Sequence, residues 1–161
     1  MSKIVCLDTN IVIWGLLKQG KAADEMKREK AVYLLTSLQQ NRDRVLISAI
    51  ALAEVVAKIE NAKDKQTIIS KLSENCEIIP FDIGSAEEFG VVRSVGIQAK
   101  SKSFSRKEIS LDSLIVASCK KYKVDTLYTD DNHLAGIARN FMKVEGLPGI
   151  PPRPINFLSQ P

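Results

Sequence analysis

Three carboxylic acids stand alone inside apolar segments of the sequence. Each is the only charged residue of its segment: Asp8 in residues 4–17, Glu54 in residues 45–57, and Asp112 in residues 109–119. Acidic side chains are almost never fully buried unless they are paired or bind a metal. We therefore expect each of these three acids to have a partner in the folded protein.

A fourth acidic position follows the apolar run 126–129, where Asp130 and Asp131 are adjacent. Asp8 likewise follows the apolar run 4–7, and both runs are predicted strands. In an open parallel sheet, ligand sites lie outside the carboxyl ends of the strands. Glu54 falls in the helix predicted after the second strand, and Asp112 at the start of the helix that leads into residues 126–129. We expect all of these acids to converge on one pocket.

Clustered carboxylates repel one another, so a shared cation would let them remain ionised together. The only histidine is His133, which excludes a histidine-rich metal site. Oxygen ligands without histidine or cysteine favour Mg²⁺ or Mn²⁺. Such ions lower the pKa of bound water and stabilise charge on a phosphate under attack. The expected reaction is hydrolysis of a phosphodiester.

Each acid also has a purely structural interpretation. Asp8 and Asp112 could be N-caps of the helices that follow them. Glu54 could pair with a nearby lysine, and the Asp130–Asp131 pair could belong to a solvated turn. The sequence does not exclude these alternatives one by one.

Short apolar runs alternate with helical stretches, which is typical of an α/β fold with a mainly parallel sheet. We predict strands over 4–7, 45–48, 77–81 and 126–129, and helices over 11–17, 24–40, 51–60, 65–72, 85–99, 112–122 and 133–142. Ser85 is the expected cap of the fifth helix. From about residue 146 a proline-rich tail should be irregular, with one edge strand near 155–157.

The length of 161 residues fits one domain, which we expect to span residues 1–161. Three widely spaced cysteines indicate reduced core thiols. No apolar run reaches the ~18–20 residues of a membrane span, and no signal peptide is evident, so we expect a cytoplasmic protein. The net charge of +4 favours a polyanionic partner.

One basic stretch, residues 100–107, is a candidate for contact with RNA. It contains four cations and one aromatic residue, namely Lys100, Lys102, Phe104, Arg106 and Lys107. Lysine and arginine provide most nonspecific affinity for phosphates, and an aromatic ring can stack on an unpaired base. The alternative is a solvated loop.

Four short segments, taken in order, resemble the motifs of PIN-domain nucleases. They are Leu7-Asp8-Thr9-Asn10, residues 48–54, residues 111–117, and Leu127-Tyr128-Thr129-Asp130-Asp131. The resemblance implies a three-layer α/β/α sandwich around a parallel sheet and Mg²⁺- or Mn²⁺-dependent cleavage of RNA. The chain is similar to VapC-like toxins, which an antitoxin protein holds inactive. The resemblance also implies a homodimer. The chain is longer than a minimal VapC, in residues 18–44 and in the tail.

The resemblance also assigns roles to residues. Asp8 and Asp112 would be the main metal ligands, and Glu54 would bind the metal through water or orient the nucleophile. Asp131 would be the fourth acid by the T-x-D spacing, with Asp130 as the adjacent candidate. The residues that would orient these carboxylates are Thr9, Asn10, Ser48 and Thr129.

Two other classes of protein compete with this interpretation. A phosphohydrolase of the haloacid-dehalogenase type also begins with an aspartate at a strand end, but it needs a second aspartate where this chain has Asn10. A noncatalytic RNA- or protein-binding PIN module would keep the fold without the reaction. A receiver-type regulator is less compatible, because its acid pair should lie together in the first loop.

Overall fold

The computed structural model describes residues 2–98 and 106–151, with only the backbone of residues 106–109. This part of the chain contains five strands: β1 (Ile4–Leu7), β2 (Arg44–Ser48), β3 (Glu77–Ile79), β4 (Thr126–Tyr128) and β5 (Lys143–Glu145). Its seven α-helices are α1 (Thr9–Gly15), α2 (Glu25–Gln40), α3 (Ala49–Ala57), α4 (Ala62–Asn75), α5 (Ile83–Gln98), α6 (Arg106–Lys121) and α7 (Asn132–Ala138). A 3₁₀ turn, Ala22–Asp24, precedes α2.

The strands form one sheet in the order β3-β2-β1-β4-β5, and every neighbouring pair is parallel. From β1 the chain builds the sheet first through β2 to β3, and later on the other side through β4 to β5. The strand order therefore reverses between β1 and β4, which pair directly with Leu7 opposite Tyr128. Ligands in open α/β sheets bind at such a reversal, outside the carboxyl ends of the strands.

Successive side chains of a strand point to opposite sides of the sheet. Here both sides are apolar, and helices cover both of them. Val5 and Leu7 of β1 belong to a core cluster shared with α1, α2, α3 and α4. Cys6 between them belongs to a second cluster, which residues of α6 and α7 and Val92 of α5 complete. Strands buried on both faces read as continuous apolar runs, as β1 does. The predicted three-layer α/β/α arrangement is confirmed.

The helix that carries Asp112 begins six residues earlier than predicted, at Arg106. The basic stretch therefore does not end in a loop beside Asp112; its last part is already helical. Arginine, lysine and glutamate are good helix formers, and nothing in residues 106–111 stops a helix. Asp112 is consequently not an N-cap, and the capping alternative is wrong for this residue.

Other boundaries also differ from the prediction. The start of α5 is capped by Asp82, whose Oδ1 accepts hydrogen bonds from the backbone N–H and the hydroxyl of Ser85, so Ser85 is not the cap. Helix α7 ends at Ala138 and leads into β5, a three-residue strand too short to show an alternating pattern. The edge strand predicted near 155–157 lies outside the described residues.

Candidate active site

Asp8 lies directly beyond the carboxyl end of β1 and is only 5% exposed. Its backbone N–H extends the pairing with β4 by donating to the carbonyl of Tyr128, at 3.0 Å. One carboxylate oxygen accepts from the N–H of Thr9 (2.7 Å) and the other from the hydroxyl of Thr129 (2.8 Å). Asp8 is thus the N-cap of α1, as the structural alternative had it.

Asp8 also has an unusual carboxyl pKa, which its capping role does not explain. Burial raises the pKa of its carboxyl from 3.8 to about 6. The two hydrogen bonds oppose this change, whereas the negative charges of Asp131 and Glu54 add to it. The ionised form is therefore costly here, and a cation in the pocket would favour it.

Thr129 directly follows β4 and connects two of the predicted acids. Its buried hydroxyl donates to Asp8 and accepts from the backbone N–H of Asp131, at 3.0 Å. The carboxylate of Asp131 in turn accepts from the N–H groups of His133 and Leu134, which makes it the N-cap of α7. Asp131 is exposed on the pocket side, so capping leaves lone pairs for a further ligand.

Glu54 lies in the second turn of α3, near enough to Asp8 for its charge to raise the pKa of that carboxyl. Its Oε2 accepts a hydrogen bond from the hydroxyl of Thr9, at 2.6 Å. Within the described chain no lysine pairs with it, so the ion-pair alternative is not what the structure shows. Thr9 therefore connects the helix of Glu54 to the segment that carries Asp8.

Asp112 is the seventh residue of α6 and its carboxylate contacts Nδ1 of His133. Burial raises the pKa of Asp112, with Asp131 and Glu54 adding to the effect, while His133 works in the opposite direction. Both side chains are largely buried, at 18% exposure for Asp112 and 8% for His133. Sequence reasoning missed this contact, because His133 was considered only as a metal ligand.

These side chains line one cavity of about 380 Å³ at the carboxyl edge of the sheet. The lining residues are Asp8, Thr9, Asn10, Glu54, Ala57, Lys58, Asp112, Ile115, Asp131 and Leu134. Strands β1 and β4 and helices α3, α6 and α7 supply or position all four acids. A larger groove of about 540 Å³ lies along α2, but its two acids alternate with Lys18 and Arg28 and none of the predicted site residues lines it.

Asp130 lies outside this cavity. Its carboxylate forms an ion pair with Lys27 of α2, at 2.7 Å, and Lys27 also lies 4.7 Å from the ring centre of Trp14. The position after Thr129 therefore attaches the loop to α2, whereas the next position faces the pocket. Of the two adjacent acids, the structure brings only Asp131 to the site.

The four carboxylates supply oxygen ligands of the kind that divalent cations prefer, although they are not arranged as a finished metal site. Among the side chains that the structure describes, in residues 2–98 and 110–151, no group of three or more histidines, cysteines, aspartates or glutamates has the geometry to hold a metal ion. Each acid is instead held by neighbours: Thr9 and Thr129 for Asp8, Thr9 for Glu54, His133 for Asp112, and the N–H groups of His133 and Leu134 for Asp131. Every carboxylate oxygen has more than one lone pair, so these bonds leave room for an ion or its water ligands. We conclude that the donor set fits a hydrated divalent cation.

The remaining predicted residues are distributed more widely. Asn10 lines the cavity, whereas the buried Ser48 caps α3 by accepting from the N–H of Ile50 and so orients the helix of Glu54 from a distance. Lys100, Lys102 and Phe104 lie outside the described residues, and Arg106 and Lys107 are described only as the first backbone turn of α6. Lys58 and Lys27 were not predicted; the only local signal is that Lys58 follows Glu54 by four residues.

No helix within the described ranges is long and apolar enough to span a membrane.

The fold and the pocket together define a class: parallel α/β proteins with an acidic site at the reversal of strand order. The profile of the PIN domain matches residues 5–140, and the chain belongs to this family. Among curated proteins, none matches it.

Three solved structures have a similar fold. VapBC2 from Rickettsia felis, bound to a DNA fragment from its promoter, is 24% identical with a TM-score of 0.62, covering 89% of this chain and 98% of the other. FitAB bound to an IR36 DNA fragment is 25% identical with a TM-score of 0.60, covering 89% and 94%. DNA-bound VapBC from Salmonella typhimurium is 20% identical with a TM-score of 0.56, covering 91% and 99%.

Proposed function

We propose that this chain is a divalent-metal-dependent endoribonuclease of the VapC-like toxin type. The observation that carries the proposal is the convergence of Asp8, Glu54, Asp112 and Asp131, from four separate segments, on one cavity. Membership of the PIN family and the likeness to VapBC and FitAB complexes support a nuclease with an antitoxin partner. RNA as the substrate and Mg²⁺ or Mn²⁺ as the cofactor are expectations that follow from the same family resemblance, and a cytoplasmic location remains the expectation drawn from the sequence.

The chain's own residues would divide the work as their positions imply. Asp8, Asp112 and Asp131 would hold the cation, directly or through water, and Thr129 would fix the distance between the first and last of them. Glu54, oriented by Thr9, would accept a hydrogen bond from the attacking water. When bound, the cation would lower the pKa of water and stabilise negative charge on the phosphate.

The proposed hydrolysis needs only RNA and water as reactants. The oxygen of water forms a bond to phosphorus, one P–O bond of the RNA chain breaks, and the leaving oxygen takes up a proton. One fragment then ends in a phosphomonoester and the other in a hydroxyl group. Nothing in the pocket is consumed, as expected of a hydrolase.

The direct test is cleavage of nucleic acid by purified protein. We expect internal cleavage of RNA in Mn²⁺ or Mg²⁺, none in EDTA, and a loss of at least about 100-fold in Asp112→Asn, since removing one essential electrostatic group costs on that order. Asp64→Asn is the matched control, because it removes an exposed carboxylate on α4, away from the cavity.

Three other results would reject the proposal. Cleavage of matched single-stranded DNA but not RNA would make the protein a deoxyribonuclease. Turnover of small phosphate esters through a phosphorylated Asp8 would favour the phosphohydrolase alternative. Binding of RNA without cleavage, unaffected by EDTA and by Asp112→Asn, would favour the noncatalytic module.

A further inference from the structure

Lys58 is the only basic side chain among those that line the acidic cavity in the described part of the chain. It is the C-cap residue of α3, exposed to solvent and one helical turn beyond Glu54. The spacing matters because side chains four residues apart lie on the same face of a helix. Lys58 therefore stands on the rim of the cavity, on the side that Glu54 occupies.

Lys58 does not neutralise the acids beside it. A glutamate followed four residues later by a lysine is the favourable order for an ion pair along a helix. Among the described side chains, those of residues 2–98 and 110–151, however, no carboxylate lies within 4.0 Å of the Lys58 ammonium group. Glu54 instead accepts from the hydroxyl of Thr9, the residue that follows Asp8.

The negative charge of this pocket opposes the binding of a nucleic acid. Four carboxylates repel the phosphate that has to approach them, and a bound divalent cation offsets only part of their charge. A cation on the rim would attract the polyanion and could donate directly to a phosphate oxygen. The Lys58 ammonium has the position and the donor hydrogens for this contact.

We propose that Lys58 binds a non-bridging oxygen of the phosphate that is cleaved, and so acts as a substrate-positioning residue. The inference rests on the proposed ribonuclease function and adds to it a specific contact with the substrate. The competing explanation is that Lys58 merely stabilises α3, because a cation at a helix C-terminus interacts favourably with the helix dipole. That role would affect folding and leave the phosphate chemistry unchanged.

The first experiment compares Lys58→Met, Lys58→Arg and Lys71→Met on an RNA that the wild type cleaves. Lys71 is an exposed lysine on α4, outside the cavity, so it controls for the loss of one positive charge. We expect kcat/KM to fall about 10- to 100-fold in Lys58→Met, as for a lost hydrogen bond to a charged group. Lys58→Arg should restore most of it, and Lys71→Met should stay within about 2-fold, as surface substitutions usually do.

Two further readouts separate substrate contact from helix stability. Sulfur replacing the contacted non-bridging oxygen should slow the wild type, but it should slow Lys58→Met much less, because the contact is already absent. The slope of log kcat/KM against log salt should become shallower by about 0.7 for one lost single-strand phosphate contact. Binding of Mn²⁺, measured by calorimetry, should stay within about 3-fold of wild type, because Lys58 binds substrate and not metal.

Unchanged kcat/KM in Lys58→Met, a full sulfur effect in that variant, or a large loss of Mn²⁺ binding would each overturn the proposal. If the wild type cleaves nothing, the proposed function is wrong, and RNA binding becomes the test of the Lys58 contact. A fluorescent single-stranded RNA of mixed sequence, titrated in Ca²⁺, should bind Lys58→Met at least about 3-fold more weakly than Lys71→Met. Equal binding by the two variants, or no binding by the wild type, would overturn the contact.

Discussion

Replacing Asp8 by asparagine should stabilise the folded protein at neutral pH while abolishing cleavage. The carboxyl of Asp8 is 5% exposed and burial raises its pKa from 3.8 to about 6. A group whose pKa is higher in the folded state binds its proton more tightly there than in the unfolded chain. Ionisation at neutral pH therefore opposes folding, in contrast to the usual salt-bridged aspartate.

The magnitude follows from the two pKa values. The difference between 3.8 and about 6 corresponds to about 3 kcal/mol of unfolding free energy that the wild type lacks above pH 6. Asparagine removes the charge, keeps an oxygen for the N–H of Thr9, and turns an amide towards the hydroxyl of Thr129. The bond from Thr9 loses its charge assistance and the hydroxyl of Thr129 loses its acceptor, which offsets part of the gain, so we expect a net stabilisation of about 1–2 kcal/mol.

The assay is thermal unfolding of wild type, Asp8→Asn and Asp64→Asn in EDTA between pH 4 and pH 8. A gain of that size should raise Tm by about 2–8 °C at pH 8 for a domain of this length. The cost of ionising Asp8 accumulates as pH rises from about 4 to 6, so the advantage of Asp8→Asn should grow over that range, level off above it, and disappear near pH 4.

The same reasoning would be refuted by a Tm of Asp8→Asn at or below that of the wild type at pH 8. It would also be refuted by a stabilisation that is equal at pH 4 and pH 8, because burial of a charge would then not be its cause. Asp64→Asn, an exposed substitution, should show no comparable gain at any pH.

Three further predictions concern the groups around Asp8. Thr129→Val removes the hydroxyl that donates to Asp8 and accepts from the N–H of Asp131. It should therefore lower the free energy of unfolding in urea by about 1–3 kcal/mol and reduce cleavage as well. Wild-type stability together with wild-type cleavage would contradict the link that Thr129 makes between the two acids. Asp131→Asn should abolish cleavage, whereas Asp130→Asn, which breaks only the exposed pair with Lys27, should leave kcat near wild type and cost at most about 1 kcal/mol; the reverse ranking would show that the wrong acid has been assigned. Adding 1 mM Mn²⁺ should raise the Tm of the wild type but not of Asp8→Asn, because a ligand that binds only the folded state stabilises it; equal shifts would place the ion elsewhere.

Much of the site could be predicted because solitary charges are informative in apolar segments. Asp8 and Glu54 each interrupt a run of residues that would otherwise be continuous core, and the strand they follow fixes the edge of the sheet where they emerge. Because the strands are parallel, their carboxyl ends lie at the same edge of the sheet whatever the strand order is. Strand order itself, with β1 between β2 and β4, was not contained in these patterns.

The parts that could not be predicted depend on contacts between distant residues. Whether Asp130 or Asp131 enters the pocket is decided by Lys27, more than one hundred positions earlier in the chain. The partner of Asp112 is His133, on a different helix. Local sequence carries no sign of either pairing, because both require the packing of helices whose relative position only the folded sheet defines.

At two of the four acids, helix capping is compatible with the proposed catalytic role. Asp8 and Asp131 each cap the helix that follows a strand end, and those caps hold their carboxylates at the edge where β1 and β4 finish. The capping hydrogen bonds would also restrict carboxylate rotation, which reduces the entropy lost when a ligand binds. A structural role therefore supplies the fixed geometry that the proposed chemistry requires.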